Sequence, residues 1–114
     1  MSAITTHVLD TARGCPARGV PVRLELQAAG GLWQLLGQGQ TDADGRLRDL
    51  LSDAHALNEG VYRLTFDTSA YFAARSTPGF YPEVSVVFVV HDGAQHYHVP
   101  LLVSPYGYST YRGS

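Results

Sequence analysis

The chain predicts an all-β fold, a two-sheet β-sandwich of seven or eight short strands with one short helix. Three observations carry this. Apolar and polar residues alternate with period two along most of the 114 residues, the pattern of strands with one face buried. Clusters of Gly, Pro and Asp interrupt the alternation at short, regular intervals, as they do between the strands of a sandwich. Only one stretch reads as helical. The length fits a single domain, residues 1–114, large enough to bury a core without cross-links.

Thr5 to Leu9 reads as the first strand. Val20, Val22, Leu24 and Leu26 alternate with Pro21, Arg23, Glu25 and Gln27 as a second. Ala28-Ala29-Gly30-Gly31 turns the chain, and Leu32 to Leu36 runs back, completing a hairpin. Asp42-Ala43-Asp44-Gly45 is a tight turn with a glycine available for positive φ, and Arg46 to Leu51 follows as a short strand. Tyr62, Leu64 and Phe66 share the inner face of the next strand. Asp67-Thr68-Ser69 then caps a short helix, Ala70 to Ser76, which Pro78-Gly79 breaks.

Val84 to Val90 is apolar on both faces, so it is expected either at the centre of a sheet or against another subunit. His91-Asp92-Gly93 turns, and Gln95 to Val103 is expected to return antiparallel to it. After Pro105 and Gly107, Tyr108 to Arg112 forms a last strand.

Composition removes several function classes. All eight basic residues are arginines, dispersed along a chain of formal net charge -2. No basic stripe tracks a phosphate backbone, which argues against nucleic acid as a partner. No apolar run approaches the roughly 20 residues of a membrane span. Met1 to His7 lacks the charged and apolar regions of a secretory signal, and the expected location is cytoplasmic. Cys15, the only cysteine, sits between Gly14 and Pro16 and reads as a loop thiol.

The candidate chemistry lies near the carboxyl end. Histidine is the side chain suited to moving protons near neutral pH. In the strand through Val103, Tyr97, Val99 and Leu101 read as core, so His96 and His98 project together from the opposite face. His7 lies on the face of Thr5 and Leu9. These imidazoles suit activation of water; a three-histidine metal site is the weaker reading, for no supporting carboxylates lie nearby in sequence. Arg46, after the Asp-Gly turn, and Arg112 offer planar forks for an anionic or oxygen-rich ligand. The closing Tyr111-Arg112-Gly113-Ser114 is costly to leave loose, and a charge at Ser114 buried in a cleft would need a donor such as Arg112 or a histidine. The tail therefore reads as an ordered element near the two imidazoles.

Tyr97 to Ser109, with Tyr-His-Val-Pro-Leu-Leu-Val-Ser-Pro-Tyr-Gly-Tyr-Ser, resembles the carboxyl-terminal signature of the transthyretin-like family. Tyr111-Arg112-Gly113-Ser114 resembles the tetrapeptide of its hydrolase branch. His7-Val8-Leu9-Asp10-Thr11, Gly19 to Val22, Thr41 to Arg46 and Tyr81 to Val84 agree. The resemblance implies a two-sheet transthyretin fold and a homotetramer, a dimer of dimers around a channel. It implies hydrolysis of 5-hydroxyisourate to 2-oxo-4-hydroxy-4-carboxy-5-ureidoimidazoline, between urate and allantoin, with no cofactor and no metal. It carries His7, Arg46 and His98 as catalytic residues, with His98 or His7 as base. His7, Arg46, Tyr111, Arg112, Gly113 and Ser114 become substrate-binding residues. The alternative is a transthyretin-like carrier of small molecules, since fold alone does not separate binding from catalysis.

Overall fold

A computed structural model describes residues 3–52 and 56–114; Met1, Ser2 and His55, one of the five histidines, lie outside them. Two sheets face each other across an apolar core. The strands are β1 (Ile4–Asp10), β2 (Cys15–Pro16), β3 (Pro21–Gln27), β4 (Trp33–Gln40), β5 (Arg46–Leu47), β6 (Gly60–Phe66), β7 (Val84–Val90), β8 (Tyr97–Ser104) and β9 (Gly107–Thr110). The single α-helix, α1, spans Thr68–Ala73. One sheet runs β2-β1-β8-β9, with β5 also paired to β1; the other runs β4-β3-β6-β7. Among the described residues, no helix is long and apolar enough to cross a membrane.

The alternating residues behave as their period dictates. Val22, Leu24, Tyr62, Leu64 and Phe66 from one sheet meet Ile4, Val8, Tyr97, Val99 and Leu101 from the other, all buried. The β3–β4 hairpin forms through a short 3-10 turn at Ala29–Gly31. The helix begins two residues earlier and ends three earlier than its sequence signals suggest, because Asp67 itself is the cap: its Oδ1 accepts from the Ala70 N–H at 3.0 Å. The Arg46 to Leu51 segment pairs only over its first two residues.

Two expectations for the last third are corrected. β8 does not return beside β7; it crosses to the other sheet and lies parallel to β1 and antiparallel to β9. His91 to His96 is thus a bridge between sheets and not a hairpin turn. β7, apolar on both faces, is an edge strand and not a central one, with Val87 and Val89 exposed.

Between β6 and β7, α1 is anchored to the first sheet by one buried bond. The Tyr71 hydroxyl donates to Asp10 Oδ2 at 2.7 Å, and Oδ1 of the same carboxylate accepts from the Arg13 N–H at 3.1 Å. Asp10 is 2% exposed. Burial, then this carboxylate, pushes the Tyr71 hydroxyl above its ordinary pKa. The Arg75 guanidinium covers the other face of the Tyr71 ring at 3.8 Å. Replacing Tyr71 by Phe would leave the Asp10 oxygen buried without its donor. The expected loss is about 1–3 kcal/mol of stability, read as a lower midpoint in urea unfolding with an unchanged slope.

Candidate functional site

The site is built on three backbone pairings. β1 and β8 run parallel, with Thr5 opposite His98 and His7 opposite Pro100. On its other edge β1 pairs antiparallel with β5, which sets Arg46 opposite His7. Past β9, Gly113 bridges back to His98, its N–H donating to the His98 carbonyl at 2.8 Å. Thr5, His7 and His98 thereby share the outer face of this sheet, while Ile4, Thr6 and Val8 face the core.

Arg46 arrives by a tightly bonded turn. Asp42 Oδ1 accepts from the Arg46 N–H at 3.0 Å and the Asp44 N–H at 2.9 Å. The Arg46 N–H above all holds the Asp42 carboxyl below its ordinary pKa. Gly45 sits at φ 76°, and its carbonyl accepts from the Val8 N–H at 2.7 Å. A Cβ there would lie 2.3 Å from the Val8 oxygen, so this turn requires glycine. Thr41 locks the approach, donating to the Ala17 carbonyl at 2.7 Å and accepting from the Val20 N–H at 2.9 Å.

These elements enclose an open cleft of about 380 Å³ lined by Thr5, Thr6, Arg46, Arg48, His96, His98 and Ser114. Its lining contains two guanidiniums and two imidazoles, and no carboxylate side chain. His98 is half-buried; burial first, then Arg46, His7 and His96, holds its imidazole below the ordinary pKa of 6.5. It therefore stays neutral, and able to accept a proton, at neutral pH. The Thr5 hydroxyl lies 2.8 Å from His98 Nδ1 and 3.0 Å from His96 Nε2. The His98 Nε2 has no bonding partner among the described residues.

The sequence-predicted residues divide. Arg46, His98 and Ser114 line the cleft together. His7 is behind Arg46: its Nε2–H donates to the Asp44 carbonyl at 2.8 Å, which fixes that ring against the Arg46 turn. Gly113 supports His98 from below; a Cβ there would lie 2.6 Å from His98 Cδ2. Tyr111 and Arg112 point elsewhere within one chain. They border a second, apolar cleft of about 330 Å³ with Val86, Phe88, Tyr97 and Val99, between the edges of the two sheets. Arg112 lies over the Tyr97 ring at 4.5 Å and donates to Gln95 Oε1 at 2.9 Å. Tyr108 and Tyr111 are both exposed, and neither enters the core.

Thr5, Thr6 and Arg48 are the lining residues that sequence reasoning missed. Arg48 carried a usable signal, since it follows Arg46 at the two-residue spacing that repeats a strand face. Thr5 carried none, because its partner is 93 residues away across a parallel pairing. Among the described residues, no group of three or more His, Cys, Asp or Glu is arranged to hold a metal ion.

Comparison with known proteins gives the site a context. The chain is 47% identical over 114 residues to mouse 5-hydroxyisourate hydrolase, covering 99% of this chain and 96% of that one. It is also 47% identical over 124 residues to the uric acid degradation bifunctional protein TTL of Arabidopsis thaliana, covering 97% of this chain but only 37% of that longer protein. The crystal structure of sea bream transthyretin in complex with thyroxine superimposes with a TM-score of 0.91 at 34% identity, covering 97% of this chain and 94% of that one. The sequence pattern of the HIUase/Transthyretin family matches residues 4–113, and the chain belongs to that family.

Proposed function

We propose that this chain is a 5-hydroxyisourate hydrolase, adding water to the ring to give 2-oxo-4-hydroxy-4-carboxy-5-ureidoimidazoline on the route from urate to allantoin. The observation that carries this reading is the cleft itself. It holds a neutral, unpartnered imidazole nitrogen beside two guanidiniums on a chain that shares nearly half its residues with the mouse hydrolase.

Hydrolysis of an acyl–nitrogen bond needs a base for the attacking water and donors for the oxygen that becomes negative. In our reading His98 Nε2 is the base. His7 is set aside as base because its Nε2–H is committed to the Asp44 carbonyl and its ring does not line the cleft. His7 instead holds the Arg46 turn. Arg46 takes the substrate oxygens and the developing charge, and Arg48 adds a second cation at the rim. Gly113 lets the tail approach the His98 ring, and Ser114 closes one wall.

Tyr111 and Arg112, which lie away from His98 in one chain, belong to this reading only through assembly. Exposed Val87 and Val89 on the β7 edge, and exposed Tyr108 on the β9 edge, support a homotetramer in which such edges are covered. A cytoplasmic location belongs to the same proposal. A carrier role like that of transthyretin is the second reading, favoured by the fold match to the thyroxine complex. The two readings differ in the lining: a cationic, proton-accepting wall suits water addition to an oxygen-rich ring better than storage of an apolar ligand.

The decisive measurement follows loss of freshly generated 5-hydroxyisourate by absorbance. His98→Asn is expected to lower kcat by about 10²–10⁴-fold while the fold is retained. Full turnover in that variant would remove His98 as base.

The pH profile gives a second expectation. Protonating His98 removes the base, so kcat/KM should fall towards acid with a midpoint below 6.5, the ordinary histidine value. Arg46→Gln removes one cause of that depression and should move the midpoint upward as well as lowering the rate. An unmoved midpoint would contradict the assignment. Gly113→Ala should lower kcat by displacing the His98 ring while leaving the urea midpoint nearly unchanged; equal turnover would mean that the tail does not position that ring.

A further inference from the structure

Thr5 is buried, 4% exposed, and its hydroxyl stands between two imidazoles at 2.8 and 3.0 Å. A hydroxyl has one proton to give and lone pairs to receive. With both rings neutral and its own proton given to one of them, it satisfies both contacts in two ways. In the first, His98 Nδ1–H donates to Thr5 and Thr5 donates to His96 Nε2. Both rings then carry their proton on Nδ1, and His98 Nε2 is an open base. In the second, His96 Nε2–H donates to Thr5 and Thr5 donates to His98 Nδ1. Both rings then carry their proton on Nε2, and His98 faces the cleft as a donor.

The two rings stand in different surroundings. His98 is half-buried, faced by Arg46 on β5, His7 on β1 and His96 itself, with Arg48 and Ser114 in the same lining. No Asp or Glu side chain lines that cleft among the described residues. A positive charge on His98 is therefore poorly placed. His96 is exposed to water, where the same charge is solvated.

Building on the hydrolase reading above, we propose that Thr5 is a positioning residue that sets the tautomer of His98 and couples it to His96, which carries the positive charge while His98 holds the proton.

The steps balance. As the water oxygen bonds to the acyl carbon, one water O–H bond breaks and an N–H bond forms at His98 Nε2. The Nδ1 proton of His98 passes to Thr5 Oγ1 as the Thr5 hydroxyl proton passes to His96 Nε2, leaving His98 neutral and His96 cationic. When the carbon–nitrogen bond breaks, the Nε2 proton goes to the ring nitrogen. As it does so, the His96 Nε2 proton passes to Thr5 Oγ1 and the Thr5 hydroxyl proton passes to His98 Nδ1, so both rings end neutral in the first arrangement. The second water proton leaves as the new carboxylic acid ionises.

Thr5→Val, of nearly the same shape, and His96→Asn test this, alone and combined. Each single variant is expected to lower kcat about 10-fold or more with KM within about 2-fold, and the double variant to be no worse than the poorer single one. Thr5→Ser keeps the hydroxyl and should recover most of the turnover. Wild-type turnover in Thr5→Val, or losses that multiply in the double variant, would overturn the coupling.

Nitrogen-15 imidazole spectra of the resting protein give a readout independent of activity. Both rings are expected on Nδ1 in the wild type, and the match should be lost in Thr5→Val. Opposite tautomers on the two rings of the wild type would overturn the proposal. Matched tautomers in a protein inert towards 5-hydroxyisourate would place the failure in the hydrolase reading and not in the Thr5 linkage.

Discussion

The parallel pairing of β1 with β8 is the constraint from which the site follows. Its register runs from Ile4 opposite Tyr97 to Asp10 opposite Val103 without interruption. Side chains alternate across a strand, so a slip of one residue would turn His98 into the core and expose Val99. The register is held from the inside: Ile4, Val8, Tyr97, Val99 and Leu101 must all be buried at once. The Thr6 hydroxyl adds a bond to the Val99 carbonyl at 2.6 Å. The apolar core thus sets the polar face. Thr5 meets His98 because their neighbours cannot be anywhere else.

That register also makes β1 the shared partner of the strands that carry His98 and Arg46. β8 lies on one side of it and β5 on the other, so the imidazole and the guanidinium come from segments about fifty residues apart in sequence yet sit on one sheet. Each segment is then secured through its backbone. The Gly45 carbonyl and the Asp42 carboxylate hold the Arg46 turn, and the Gly113 N–H holds the His98 carbonyl. The functional atoms of Arg46 and His98 remain available for a ligand. No buried side-chain polar atom among the described residues lacks a hydrogen-bond partner, so the open polarity of the molecule lies in exposed or half-exposed groups such as these.

The same frame serves a thyroxine-bound transthyretin and, in our reading, a hydrolase. What separates them is the lining. Burial first, then the neighbouring Arg46, holds the His98 imidazole towards its neutral form, and the two guanidiniums of the lining favour an anion as it develops. Both effects act at the same few ångströms, and neither asks for a change in the strands beneath.

The sequence by itself determined the strands, the turns and the faces, because period-two alternation and turn chemistry are local properties. Tyr62, Leu64 and Phe66 were readable as core, and the outward projection of His96 and His98 was readable from the same rule. The family was legible from the motifs that carry it, and so were Arg46, His98 and Ser114, which line the cleft; that His7 lies behind Arg46 was not. Which strands lie side by side was decided only by the tertiary structure. The turn after β7 looked like a hairpin, yet the chain crosses to the other sheet, since an apolar edge strand and its successor carry no local mark of which sheet will bury them. Thr5 between two imidazoles, and Tyr111 and Arg112 turned towards a different cleft, follow from that choice. Pairing across more than ninety residues is fixed by the burial of the whole core at once, and no window of the sequence contains it.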